Sequence, residues 1–142
     1  MERVGAAAAI FNELGEILLV HHTYGMCNWE LPGGGGEAGE SPAETAVREV
    51  REETGLGVVP ERVTGWYYDP TADRLHTVVR CQANSDEWVL CPDGVEISEC
   101  GFWPTDNLPL PHSDFTRLRV HDALAAQANP LPTVIGPRQW HC

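Results

Sequence analysis

The chain has 142 residues, enough for one domain with a real core and too few for two. Nine basic residues against 21 acidic ones give a formal net charge of −12, which argues against a nucleic-acid polymer or an anionic membrane surface as partner. An ordinary 42% hydrophobic content, with no apolar run approaching the length of about 18 residues that spans a bilayer, predicts no transmembrane helix. The apolar stretch Val4 to Ile10 is short and closely followed by Glu13 and Glu16, so it does not read as a signal peptide, and a cytoplasmic protein is expected. Cys27, Cys81, Cys91, Cys100 and Cys142 are odd in number and lack a C-x-x-C pair, so reduced thiols are expected rather than a disulfide framework or zinc site.

In chain order, Arg3 to Phe11 is small and apolar, Asn12 to Gly15 reads as a turn, and Glu16 to His22 is a second strand-like run. Together they predict a hairpin. The unbroken apolar character of Ile17 to Val20 predicts a strand covered on both faces. A polar connection, Thr23 to Asn28, leads into Trp29-Glu30-Leu31-Pro32-Gly33-Gly34. There Pro32 ends the strand, and glycines let backbone groups approach a phosphate or metal with no Cβ in the way.

Next comes a helix with both ends marked. Ser41 is a good N-cap, Pro42 suits the first helical position, and Glu44 completes a capping box. Gly55 can take the left-handed conformation that ends the helix, with Leu56 as its hydrophobic follower. At 100° per residue Ala43, Ala46, Val47 and Val50 fall on one side and are expected to pack inward. Glu49, Glu52 and Glu53 gather in an arc of roughly 100° beside that face. Three carboxylates so placed repel one another, a penalty that a hard divalent cation removes.

From Gly34 the pattern runs five residues to Glu40, seven more, then Arg48-Glu49-Val50-Arg51-Glu52-Glu53-Thr54-Gly55-Leu56. It resembles the Nudix box at every specified position, and Trp29 to Gly34 is similar to the family's W-x-x-P-G-G entry. The resemblance implies an α+β fold, an α/β/α sandwich in which a mixed central β-sheet is flanked by helices and the box loop–helix carries the metal site. It implies hydrolysis of a nucleoside diphosphate linked to another group, with Mg²⁺ or Mn²⁺. Glu52 and Glu53 match principal metal ligands, Glu49 a further ligand or the base, and Arg48 the residue that orients them. Gly33 matches the glycine whose carbonyl reaches the metal, Gly33, Gly34 and Gly35 form the expected phosphate-binding loop, and Glu40 supports the loop–helix structure.

Beyond the box, Val58-Val59 starts a strand, Thr64 to Tyr68 and His76 to Gln82 are further candidates, and Trp88 to Cys91 is a short one. Pro70 to Leu75 reads as an exposed loop near the site. Val95 to Asn107 resembles a late family segment that can supply an extra metal ligand or the base, and Glu96 and Glu99 are both candidates. Ser113 caps a last helix expected from Asp114 to about Gln127, with Phe115, Leu118, Leu124 and Ala125 inward. One domain is expected over 1–128, followed by an irregular tail over 129–142, where Pro130, Pro132 and Pro137 rule out regular helix.

The substrate is a small-molecule nucleotide by resemblance, with two readings open. Pro70 stands one residue short of the proline associated with ADP-ribose pyrophosphatases, while the small single domain equally suits an oxidised-nucleotide-cleansing triphosphate pyrophosphatase. A Nudix-like sensor that binds a nucleotide without turnover is the alternative outside the enzymes. It usually loses box glutamates, which this chain keeps. An isomerase on the same fold requires histidine ligands and a site cysteine, a context Cys27 lacks. A homodimer is compatible with the family, and the substrate-binding residues are not assigned by sequence.

Overall fold

The computed structural model describes residues 4–84 and 89–142. Its elements are β1 (Gly5–Ile10), β2 (Ile17–His22), β3 (Trp29–Glu30), β4 (Gly33–Gly35), α1 (Pro42–Thr54), β5 (Val58–Asp69), β6 (Arg74–Ala83), β7 (Ile97–Trp103), β8 (His112–Ser113), α2 (Asp114–Ala123), β9 (Thr133–Val134) and β10 (Trp140–His141). The central sheet is mixed, in the order β4-β1-β6-β5-β9, with β1 parallel to β6 and β6 antiparallel to β5. A three-stranded antiparallel sheet, β3-β2-β7, and the pair β10-β8 complete the strands described.

Alternation along β1 divides the core between two layers. Ala6, Ala8 and Ile10 pack with Ala46 and Val50 of α1, while Ala7 and Ala9 pack with Phe115, Val120 and Ala123 of α2. Along β2, Leu18 joins the first layer and Ile17 and Leu19 the second. Period-two alternation in a strand covered on both faces produces this division, and small alanines let the helices sit close to the sheet.

The capping of α1 follows the sequence signals. Ser41 Oγ accepts from the Glu44 amide at 3.2 Å, and the Glu44 carboxylate accepts from the Ser41 amide at 3.2 Å. Gly55 takes φ 77° and donates to the Arg51 carbonyl at 2.9 Å. Ala46 and Val50 are fully buried, Val47 is half-buried against the core, and Ala43 lies outside the core.

Several expectations are corrected. β1 and β2 are not a ladder-forming hairpin. Their strand pairing is limited to the Phe11–Ile17 bridge, after which β1 takes β4 and β6 as neighbours and β2 takes β3 and β7, so the edges of both are already filled. The two strands expected after the box are one, β5, bent by register shifts near Pro60 and Val63. The loop expected over Pro70 to Leu75 is a turn over 70–73, and Arg74 and Leu75 already belong to β6. Arg3 and Trp88 lie outside the described residues, and the remainder of the expected Trp88–Cys91 strand, 89–91, is not strand.

α2 stops at Ala123, with Leu124 and Ala125 exposed instead of inward. Side chains from the sheet take over its last carbonyls. Arg80 Nη1 donates to the Ala123 carbonyl at 3.0 Å and Arg62 Nη2 to the Ala125 carbonyl at 2.9 Å, which satisfies groups that a further turn would otherwise bond. The tail over 129–142 is not irregular throughout. β9 adds in parallel to the edge of β5, Ile135 is buried, and β10 pairs with β8.

Candidate active site

The loop–helix from Gly33 to Glu53 folds its polar residues around one guanidinium. Arg48 Nε donates to Glu40 Oε2 at 2.8 Å and Nη2 to Glu40 Oε1 at 3.1 Å, a bidentate pair. Nη1 donates to Glu49 Oε1 at 3.0 Å and to Glu52 Oε2 at 3.1 Å, and Nη2 reaches the Gly35 carbonyl at 3.0 Å. Glu40 also accepts from Thr45 Oγ1 at 2.7 Å and from the Glu37 amide at 3.0 Å. Hydrogen bonds from Arg48, Thr45 and Glu37 hold its carboxyl down at about 2. Glu40 therefore serves the loop and the arginine, while Arg48 ties Glu49 and Glu52 to the glycine strand.

The three glutamates differ in surroundings. Glu52 is exposed, Glu49 is mostly covered, and Glu53 is buried at 6% exposure. Glu53 Oε2 accepts from the Gly33 amide at 3.1 Å and shares a hydrogen bond with Glu49. Burial first, and the Glu49 charge second, push Glu53 up to about 9, and burial raises Glu49 as well. Burial of neighbouring carboxyls disfavours their charged forms, so the pair resists full ionisation unless a cation compensates it.

Glycine is required where this pair meets the strand. A Cβ on Gly34 would lie 2.6 Å from Glu49 Oε1, and one on Gly33 would lie 2.5 Å from the Ala6 carbonyl oxygen. Gly33, Gly34 and Gly35 are the strand β4, paired with Ala7, Ala6 and Gly5 of β1, and the Gly33 amide is spent on Glu53. The expectation of a loop of free amides for phosphate is corrected to a strand whose glycines allow close approach.

Among the described residues no three His, Cys, Asp or Glu side chains stand gathered into a finished metal cage. The donor set nonetheless fits a hard divalent cation. It consists of carboxylate oxygens, and burial raises both Glu49 and Glu53, a penalty that a bound cation would remove.

Glu96 and Glu99 part company. Glu99 is exposed on β7, opposite His21 and 3.9 Å from its Nδ1. Burial first, and then the charges of Glu96, Glu53, Glu30 and Glu49, push the Tyr24 phenol pKa up, so Glu96, just before β7, belongs to the same electrostatic neighbourhood as the box. Asp93, not singled out by sequence, accepts from the amides of Val95, Glu96 and Ile97 and also acts on Glu53.

Beside Gly33 and Gly34 opens a cavity of about 240 Å³, walled by His22 and Tyr24, by Arg74, His76 and Thr77, and by Phe115, Arg119 and Arg138. Sequence reading singled out none of these as binding residues. Only Phe115 and Arg119, spaced i, i+4 on α2, carried a local signal that they meet, and the Arg119 guanidinium lies 3.9 Å from the Phe115 ring centroid. Arg119 is paired with Glu30, and Thr116 donates to the same carboxylate at 2.7 Å.

Comparison with known proteins agrees with the motif and the architecture. A MutT-like protein of Streptomyces ambofaciens is 35% identical over 82 residues, covering 58% of this chain and 53% of its own length. The mouse 8-oxo-dGDP phosphatase NUDT18 is 31% identical over 127 residues, covering 82% of this chain and 35% of its own length. The chain thus spans about half or less of the curated relatives it matches. An ADP-ribose pyrophosphatase from Streptococcus suis superposes with a TM-score of 0.72 at 24% identity over 95% of this chain and 100% of that one, a likeness of fold. The NUDIX domain family model matches residues 1–123, and the chain belongs to that family.

Proposed function

We propose that this domain is a metal-dependent pyrophosphohydrolase, which cleaves a phosphoanhydride bond in a nucleoside diphosphate linked to another group. The observation that carries the reading is the buried Glu49–Glu53 pair pressed against Gly33 and Gly34, with Arg48 bridging it to Glu52. Nudix hydrolases generally use a divalent metal, and here Glu49, Glu52, Glu53 and the Gly33 carbonyl are the groups proposed to hold Mg²⁺ or Mn²⁺. A cation at this position supplies charge neutralisation for the phosphates and acidifies an attacking water.

The chain's own groups divide the remaining work. Arg48 fixes the rotamers of Glu49 and Glu52, so the carboxylates need little reorganisation when charge develops. Glu49, held through Oε1 by Arg48, is the first candidate for the base that takes the proton of the water, with Glu96 as the second. Tyr24 and Leu31 border the cavity.

The names of relatives include an ADP-ribose pyrophosphatase and an 8-oxo-dGDP phosphatase, and a nucleoside diphosphate is the chemistry these substrates share. The test is a hydrolysis screen with Mg²⁺ and Mn²⁺ over ADP-ribose, other nucleotide sugars, and ordinary and oxidised nucleoside di- and triphosphates. Glu53→Gln should lower kcat by roughly 10³-fold or more, as loss of a principal electrostatic stabiliser does. Turnover in the variant within a few-fold of wild type overturns the assignment. Nucleotide binding with no cleavage by the wild type would make the domain a sensor.

A further inference from the structure

The segment that follows the family match reaches back into the cavity. Ile135 donates its amide to the Tyr68 carbonyl at 2.9 Å and is buried in the core. Four residues on, Gln139 exchanges backbone and side-chain hydrogen bonds with Asp114, its amide donating to Asp114 Oδ1 at 3.0 Å and its carbonyl accepting from the Asp114 amide at 2.9 Å. Trp140 and His141 then pair with Ser113 and His112. Arg138 is held between these two anchors. Its guanidinium lies 4.5 Å from the Phe115 ring centroid, and it donates to Asp69 Oδ2 at 3.3 Å and to the Gly136 carbonyl at 3.1 Å. Two of five donors are used, and the side chain forms part of the cavity wall.

Arg74 stands in the same wall with none of its donors used among the described residues. Its Nε is buried without a hydrogen-bond partner. Its guanidinium lies against the glycines of β1 and β4, within 3.2 Å of where a Gly5 Cβ would be and 3.3 Å of where a Gly35 Cβ would be. A buried guanidinium nitrogen with no acceptor is uncommon and calls for one. His76 lies between the arginines and is pushed down to about 4 by burial and by the charges of Arg119, Arg74 and Arg138. It is therefore a neutral neighbour that adds no competing charge. Arg119 is neutralised by Glu30, and Arg138 is only partly matched by Asp69. An excess of positive charge is thus concentrated in one cleft of a chain that carries −12 overall.

We propose that Arg74 and the tail-borne Arg138 form an anion seat, separate from the glutamate cluster, that receives a phosphate of the nucleotide substrate. Guanidinium forks match phosphate geometry, and no acceptor among the described residues occupies that of Arg74. The cavity is smaller than the roughly 300 Å³ or more that encloses a whole ligand, so it takes one part of the substrate while the rest lies over β4. The inference rests on the hydrolase reading for what the neighbouring glutamates do. It makes the segment over 133–141 part of the substrate site, so relatives that lack such a segment would bind the same group differently.

The experiment is calorimetric titration of wild type, Arg74→Ala, Arg138→Ala and Arg138→Lys with ADP, alongside thermal melting and kinetics on whichever nucleotide the screen finds cleaved. Each alanine variant should weaken ADP roughly tenfold to a hundredfold, the range for a lost charged hydrogen bond, and raise KM more than it lowers kcat. Arg138→Lys should recover part of the affinity. Unchanged ADP affinity in Arg138→Ala with a lowered melting temperature would make Arg138 a staple for the tail and overturn the seat. Cleavage with KM untouched in both alanine variants also overturns it while the hydrolase reading stands. Arginine-dependent ADP binding by a wild type that cleaves nothing supports the seat and removes the hydrolase reading.

Discussion

Three adjacent glycines should respond to alanine in three different ways. A Gly34 Cβ would sit 2.6 Å from Glu49 Oε1 and 2.8 Å from its Cδ, about 0.8 Å short of an ordinary 3.4 Å contact. Glu49 cannot simply swing away, because Arg48 holds Oε1 and Glu53 shares a hydrogen bond with the same carboxyl. The strain therefore goes into the glutamate rotamer, at about 1 kcal/mol. A displacement approaching 1 Å among catalytic groups lowers turnover by about 10²-fold. Gly34→Ala should then fold with a small drop in melting temperature and lose about a hundredfold in kcat. In Gly33→Ala the obstacles are backbone, the Ala6 oxygen at 2.5 Å and the Ala7 Cα at 2.6 Å, so β4 must part from β1 and stability should fall by several-fold more. Gly35→Ala meets only Arg74 Nη2 at 3.3 Å, a movable side-chain end, and should be the mildest. Parallel melting curves and steady-state kinetics on the three variants decide the matter. A Gly34→Ala enzyme within threefold of wild-type kcat would refute the placement of Glu49 in the working site.

Two further outcomes follow from the same geometry. Arg48→Lys replaces a fork that serves Glu40, Glu49, Glu52 and the Gly35 carbonyl with one ammonium. It should lower kcat by roughly tenfold or more and stability by about 1–2 kcal/mol, and kinetics within twofold of wild type would count against the orienting role. His76, pushed down to about 4 in the fold, returns to about 6.5 when unfolded, so the unfolded chain binds the extra proton between those values. Its contribution is fully present above pH 6.5 and is lost as pH falls toward 4. Because the ring is only partly buried, solvent screening leaves roughly 1 kcal/mol of this by pH 5. Urea titrations at pH 7 and pH 5 should show His76→Gln losing about that much less than wild type, and identical losses would refute it.

How much was readable in advance depended on whether the deciding interaction was local. The ends of α1 are set by Ser41, Glu44 and Gly55, all within one turn of the positions they act on, so its boundaries were legible to the residue. The partner of β1 was not, because a strand of six buried positions has no polar face to declare which neighbour it takes. The end of α2 depends on Arg62 and Arg80, 63 and 43 residues away in sequence, and no window along the chain contains that information. The glutamates of the box were legible by angle and spacing, yet their inequality was not. That Glu53 is buried and Glu52 exposed depends on where β1 and β4 cross the helix. Arg138 had no local signal at all, since its place follows from two strands of two residues each.

The charge distribution connects these observations. All nine basic residues are arginines, and Arg48, Arg74, Arg119 and Arg138 belong to this one region. Arg48 is consumed by Glu40 before it reaches Glu49 and Glu52, so it organises the glutamates without neutralising Glu53. The glutamate side thus stays short of positive charge, while the cavity side, through Arg74, has some to spare. A polyanionic substrate laid across both needs an exogenous cation at one end only. On this account the cation and Arg74 act on different phosphates of the same molecule. A strongly acidic domain can then admit a nucleotide without a broadly basic surface, because attraction comes from one cleft and one ion.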